Sequence, residues 1–160
     1  MLKAAEKVLD RNSLKEKVDT LRKEGKVVVF TNGCFDLIHI GYIRLLQKAR
    51  EQGDCLVVAV NSDRSVQQIK GPDRPQIPEE ERAEVLAAFG CVDWVTIFDE
   101  LDPLVLIQLL KPDVLVKGSD WPEEKIVGAS EVKEAGGKVV RVQLVPGIST
   151  TALIQKIRST

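Results

Sequence analysis

The chain of 160 residues holds a single histidine, His39, and three cysteines, Cys34, Cys55 and Cys91. With no second histidine a paired-histidine helix motif is impossible, and no two cysteines stand at Cys-x-x-Cys spacing, so a protein-built metal centre is not expected. An odd number of widely spaced cysteines disfavours a disulfide framework and fits a reducing cytosol. Cys55 and Cys91 border apolar runs and read as small buried hydrophobes, whereas Cys34 lies in a loop, where a reactive thiol is the lesser reading. Charge of one sign is also missing: 23 Lys+Arg face 24 Asp+Glu, a net charge of −1. Non-specific nucleic-acid binding draws on a basic excess, so no nucleic-acid partner is expected. No apolar stretch approaches the ~20 residues of a membrane span, and the N-terminus, with Glu6 and Asp10, lacks a signal-peptide core. A cytoplasmic domain without a membrane partner is expected.

Two nucleotide fingerprints are absent as well. Neither G-x-G-x-x-G nor G-x-x-x-x-G-K-[ST] occurs, which removes the dinucleotide-binding and P-loop readings. What the chain does hold is ordinary globular composition, 44% apolar and 29% charged. A chain of this length buries roughly 68–70% of its unfolded surface, enough for one core.

Short apolar runs at residues 26–31, 56–60, 94–97, 114–116 and 138–142 read as strands buried on both faces. Helical patterns stand between them. Ser13-Leu14-Lys15-Glu16 reads as a capping box opening a helix that Gly25 stops, with Leu14, Val18 and Leu21 on one face. Tyr42, Leu45, Leu46 and Ala49 share a face over 40–52, Pro78 opens a helix closed by Gly90, Pro103 to Leu110 is a further short one, and the last runs over about 149–158. Strands alternating with helices predict an α/β, doubly wound, Rossmann-like five-stranded parallel sheet with helices on both faces. Residues 1–25 are set apart as an N-terminal helical extension, 26–160 as the main domain. In such a sheet ligands bind beyond the carboxyl ends of the strands, at the switch point of strand order.

The first strand runs into Thr31-Asn32-Gly33-Cys34-Phe35-Asp36-Leu37-Ile38-His39-Ile40-Gly41-Tyr42. Backbone N–H groups at a helix N-terminus bind anions, and Gly41 lets a phosphate approach closely. His39 at that point can donate to a phosphoryl oxygen as charge builds; its bland reading is a capping or core histidine. Residues 31–41 resemble the signature of the cytidylyltransferase-like nucleotidyltransferases, whose motif is His-x-Gly-His. The resemblance continues in order through Val-Ala-Val-Asn-Ser-Asp at 58–63, Ile-Lys-Gly-Pro at 69–72, the helix from Pro78 to Leu86, Val-Leu-Val-Lys-Gly-Ser-Asp-Trp at 114–121, and Pro-Gly-Ile-Ser-Thr-Thr at 146–151. It covers residues 26–158 and is strongest towards the heptose 1-phosphate adenylyltransferases; a free-standing form, without a sugar-kinase half, is expected. One position departs: Tyr42 stands where the family has its second histidine.

The resemblance implies transfer of a nucleotidyl group from ATP to a sugar 1-phosphate, giving ADP-sugar and pyrophosphate, with Mg²⁺ carried by the nucleotide, a homodimer, and a role in lipopolysaccharide heptose supply. A glycerol-3-phosphate or polyol-phosphate cytidylyltransferase is the alternative; its usual Arg-Thr-Glu is Leu144-Val145-Pro146 here. A nucleotide-binding protein with impaired catalysis is the other, for which Tyr42 is the sole argument. Under this reading His39, Tyr42 and Lys117 are the catalytic candidates, Tyr42 as a neutral donor or else a packing residue. Thr31, Asn32, Gly33, Phe35, Gly41, Gly147, Ser149, Thr150 and Thr151 are expected around the nucleotide phosphates. Ser149 otherwise reads as a simple N-cap, and Lys117 as an edge lysine reaching for water. Asp36, Asn61, Lys70, Arg74, Arg82 and Asp120 are expected on the substrate side, Arg82 having a surface pair with Glu79 as its other reading. Trp121 reads more readily as cover for the sheet edge than as a stacking platform.

Overall fold

The computed structural model describes residues 2–160. Five strands form one parallel sheet: β1 (Val28–Gly33), β2 (Cys55–Asn61), β3 (Trp94–Phe98), β4 (Val114–Gly118) and β5 (Lys138–Val142), in the order β3-β2-β1-β4-β5. Their unbroken apolar runs follow from burial on both faces, and every residue of β2 is buried.

Successive strand residues point to opposite faces, which sorts the core in two. Val28, Phe30, Val57, Ala59 and Leu115 pack under α1 (Arg11–Lys23), α5 (Leu104–Leu110) and α6 (Ala129–Glu134), through Leu14, Val18, Leu106, Ile107, Leu110 and Val132. Val29, Leu56, Val58, Val60, Val114 and Val116 pack under α2 (Ile40–Arg50) and α4 (Glu79–Ala87), through Leu46, Ala49, Ala83 and Leu86. Two more helices, α3 (Asp63–Lys70) and α7 (Thr150–Arg158), follow β2 and β5. This is the doubly wound α/β arrangement. The segment set apart as an extension shares the core: Leu14 and Val18 are fully buried, and Val8 pairs in parallel with Val95 at the β3 edge.

One local expectation is corrected and two helices are added. The first helix starts at Arg11, not at a Ser13 cap, because the Asp10 carboxylate accepts from the N–H groups of Asn12 (2.9 Å) and Ser13 (3.0 Å), and the Ser13 hydroxyl donates to it. Asn61-Ser62-Asp63, residue types common in turns, opens α3: the Ser62 Oγ caps it by accepting from Ser65 N–H at 3.1 Å. The short α6 follows Gly128, whose φ of 85° only glycine adopts freely.

The sheet opens where its strand order reverses. β1 is registered with β2 at six positions but with β4 only at Val29↔Val114 and Phe30↔Leu115. Beyond Phe30 the ladder gives way to a side chain, the Thr31 hydroxyl donating to the Val116 carbonyl at 2.9 Å. The carboxyl ends of β1 and β4 thereby part, and the crevice between them is the switch point.

Candidate active site

His39 is the N-cap residue of α2. Its Nδ1 accepts the Gly41 N–H at 3.2 Å, so in the neutral ring the proton sits on Nε2. Burial lowers the His39 pKa below its ordinary value, which favours that neutral form near pH 7. Gly41 is required by the close approach: a Cβ there would lie 2.9 Å from Nδ1. One turn on, the Tyr42 ring stacks on the imidazole with centroids 4.1 Å apart and planes at 22°, and its hydroxyl lies 3.3 Å from Thr150 Oγ1. Burial pushes the Tyr42 phenol up, so it is neutral across the physiological range.

Thr150 is the first residue of α7, brought to Tyr42 from the far end of the chain. Ser149 caps that helix, its Oγ accepting from Ala152 N–H at 3.1 Å. The N–H groups of Thr150 and Thr151 have no intrahelical acceptor, so the first turns of two helices offer donors into one space. Lys117 enters from β4, its Nζ donating to the Asn32 carbonyl across the crevice at 3.2 Å. Burial pushes its pKa down to about 8. Close by, Asn32 Oδ1 is buried with no donor.

These groups line a cleft of about 500 Å³. It brings together Thr31, Asn32 and Gly33 from the end of β1, His39, Gly41 and Tyr42 from the start of α2, Lys117 on β4 and Asp120 just after it, and Ser149, Thr150 and Thr151 at α7. Asn61, Lys70 and Arg74 close the side towards β2. Four expected contacts lie outside it. The Phe35 ring is buried against Tyr42, centroids 5.1 Å apart, on a backbone with φ 49°, and Gly147 (φ 74°) shapes the turn before α7. Asp36 is buried, its carboxylate accepting from Arg74 Nε (2.6 Å) and the N–H groups of Gln76 (2.8 Å) and Ile77 (3.0 Å).

Arg82 is the clearest departure. It is 1% exposed and makes no surface pair with Glu79. Its guanidinium donates to the carbonyls of Ile77, Cys34 and Asn61 and to the Asp63 carboxylate, at 2.6–2.8 Å. Four of its five N–H donors are thus held inside the protein, and the side chain joins the ends of β1 and β2 to α3 rather than lining the cleft. Cys34 does face the cleft, but burial pushes its thiol up, which keeps it protonated.

Sequence reasoning missed an apolar wall of Leu101, Ile126, Val127, Leu144 and Ile148. Its only sequence signal is position, since each follows a strand. Trp121, expected to cover the sheet edge, lines the cleft and is 51% exposed. Among the described residues no group of three His, Cys, Asp or Glu side chains could hold a metal.

A model of the family described as Cytidylyltransferase-like matches residues 30–156, and the chain belongs to that family. It is 52% identical over 151 residues to the bifunctional protein HldE of Syntrophotalea carbinolica, covering 94% of this chain and 31% of that protein. The HldE of Koribacter versatilis is 54% identical over 153 residues, covering 96% and 32%. The chain thus spans about a third of the length of the curated relatives it matches. Among solved structures, the lipopolysaccharide core biosynthesis protein of Thermoplasma volcanium GSS1 superimposes with a TM-score of 0.62 at 28% identity, over 76% of this chain and 98% of that one. Among the described residues, no helix is long and apolar enough to cross a membrane.

Proposed function

We propose that the chain is a nucleotidyltransferase joining ATP to a sugar 1-phosphate, heptose 1-phosphate foremost, to give ADP-sugar and pyrophosphate. The observation that carries this reading is the convergence of two helix N-termini, the His39 imidazole and the Lys117 ammonium on one crevice at the β1/β4 switch point. The heptose assignment draws on about 50% identity to HldE proteins and the likeness to a lipopolysaccharide core biosynthesis protein. A cytoplasmic location, expected from the cysteine pattern, and a homodimer, expected from the family resemblance, belong to the same reading; light scattering of the purified chain tests the dimer.

In the reaction an oxygen of the sugar phosphate attacks the α-phosphorus. A new P–O bond forms, the bond from the α-phosphorus to the bridging oxygen breaks, and pyrophosphate departs with that electron pair. The protein's task is to hold the partners in line and stabilise the spreading negative charge. His39 Nε2–H donates to the phosphoryl oxygen and Lys117 answers the charge with its own. The first turns of α2 and α7, with Ser149, Thr150 and Thr151, hold the nucleotide phosphates. Arg74 and Lys70 face the acceptor phosphate, with Asp36 fixing the Arg74 guanidinium by its Nε.

A magnesium ion riding on the triphosphate fits these residues. Asp36 is spent on Arg74 and two N–H groups, while Asp120 and Asp102 stand on the cleft wall as carboxylates able to meet an ion held mainly by phosphate and water. When bound, such an ion neutralises charge on the phosphates.

Pyrophosphate release over a panel of heptose 1-phosphate and glycerol 3-phosphate, each with ATP and with CTP, tests the proposal. The expected result is release with ATP and the heptose phosphate. Release with CTP and glycerol 3-phosphate would overturn the assignment, and nucleotide binding without release on any acceptor would mark a catalytically impaired form.

A further inference from the structure

We propose that Tyr42 is a positioning residue: it ties the first turn of α2 to the first turn of α7 through Thr150 and holds the His39 ring with Nε2 towards the cleft, without touching a phosphate itself. The inference uses the proposed nucleotidyl transfer only to give the cleft its meaning; the contacts that carry it belong to the chain alone.

The hydroxyl of a tyrosine has one proton to give. Thr150 Oγ1 lies 3.3 Å from that hydroxyl and 3.5 Å from the Leu37 carbonyl, which can only accept. With the Thr150 proton on Leu37, the Tyr42 proton goes to Thr150, and the phenol has none left for a ligand. Among the described residues, both hydrogen bonds joining α7 to the rest of the molecule run through this one threonine hydroxyl. Thr150 is also the only buried residue of α7. The tie therefore sets where the donors of α7 stand relative to those of α2, although 108 residues separate its two ends.

The ring has a second task. His39 Nδ1 is fixed by the Gly41 N–H, and one imidazole face lies on Tyr42 with planes at 22°. Turning the imidazole over about Cβ–Cγ would put Cδ2 where Nδ1 stands and Cε1 where Nε2 stands, losing the Gly41 contact, and would have to break this stack. Tyr42 cannot shift to follow, because Phe35 is packed against its ring at 5.1 Å. A tyrosine here thus gives up the charge a second histidine could carry and supplies rigidity in its place.

The test exploits His39 being the only histidine, so that nitrogen NMR of the full chain reads one imidazole without ambiguity. The wild type should show the tautomer protonated on Nε2 without any ligand. Tyr42→Phe keeps the platform and should leave that signature unchanged, while Tyr42→Leu removes it and should give a mixture of tautomers. An unchanged signature in Tyr42→Leu overturns the platform role. For the tie, urea unfolding of Tyr42→Phe, Thr150→Val and the double variant should show the double no less stable than the weaker single, because one interaction is lost once. Losses that simply sum overturn the tie. With ATP and Mg²⁺ in a calorimeter, Tyr42→Phe should bind about fivefold more weakly, an effect of one misplaced contact. A wild type that binds no ATP defeats the nucleotidyltransferase reading, while the tautomer and unfolding results still decide the role of Tyr42.

Discussion

Replacing Lys117 by Met should make the protein more stable and less able to bind nucleotide. Lys117 is half-buried on the cleft wall, and the one protein hydrogen-bond partner of its ammonium is the Asn32 carbonyl at 3.2 Å. Burial brings its pKa from the ordinary 10.5 down to about 8. At about 1.4 kcal/mol per pH unit, carrying that charge in the folded state costs about 3 kcal/mol, an upper figure because the neighbourhood relaxes. Below pH 8 the lysine is charged in both folded and unfolded chains, and the full cost applies. Between pH 8 and 10.5 the folded chain has released the proton and the unfolded chain still holds it, so wild-type stability rises with pH across that window. Methionine fills the same volume without a charge. Lys117→Met should therefore gain about 1–3 kcal/mol at pH 7, and the gain should shrink towards zero by about pH 10.5. Nucleotide affinity should fall by about 1.5–3 kcal/mol, the value of a charge-assisted contact. Urea unfolding of both chains at pH 7 and pH 10, with ATP calorimetry at pH 7, measures each quantity. A variant that is less stable at pH 7, or a stability difference that stays constant with pH, would refute the reasoning.

His39→Asn keeps an N-cap acceptor for α2 but removes the Nε2 donor. Turnover should fall about 10²–10³-fold while stability changes by less than about 1 kcal/mol; normal turnover would show that the imidazole serves only as a cap. Arg82→Leu leaves three carbonyls and the Asp63 carboxylate without their donor, and should lower the unfolding free energy by about 3–5 kcal/mol; a chain as stable as wild type in urea would mean that these bonds contribute nothing net. Asp36→Asn weakens the hold on Arg74, and steady-state kinetics should show KM for the sugar phosphate rising severalfold with ATP affinity unchanged; a loss confined to ATP would move Arg74 to the nucleotide side.

The strands were legible because a doubly covered parallel sheet demands unbroken apolar runs, and the chain shows five of them. The site was legible where it depends on place: residues after β1 and β4 and before α7 had to gather at a switch point, and His39, Lys117 and Thr150 do. Contacts among three segments were not legible. The sequence around Arg82 shows only Glu79 one turn earlier, while its real partners at 34, 61, 63 and 77 become neighbours only once β1, β2 and α3 are assembled. The pairing of Tyr42 with Thr150 is hidden for the same reason. Helix α3 escaped notice because Asn61-Ser62-Asp63 has the composition of a turn, and a capped helix start uses the same residues. The apolar wall carries no chemistry to mark it, and only the closed cleft shows that Leu101, Ile126 and Ile148 face one space.

The shallow seating of α7 has a consequence for how the molecule opens. Thr150 alone is buried in that helix and Ile157 is 68% exposed, so lifting it away uncovers little apolar surface. Local opening should be much easier there than in β2, all seven of whose residues are buried. A ligand gripped by the first turns of both α2 and α7 would be lost on opening, and it resists opening by its own binding energy. At a hundred times its dissociation constant it adds about 2.7 kcal/mol, a slowing of about a hundredfold. Amide hydrogens of α7 should then exchange early in the free chain and late in the nucleotide complex, while those of β2 scarcely change. The substrate would act as the missing piece of packing for the last helix.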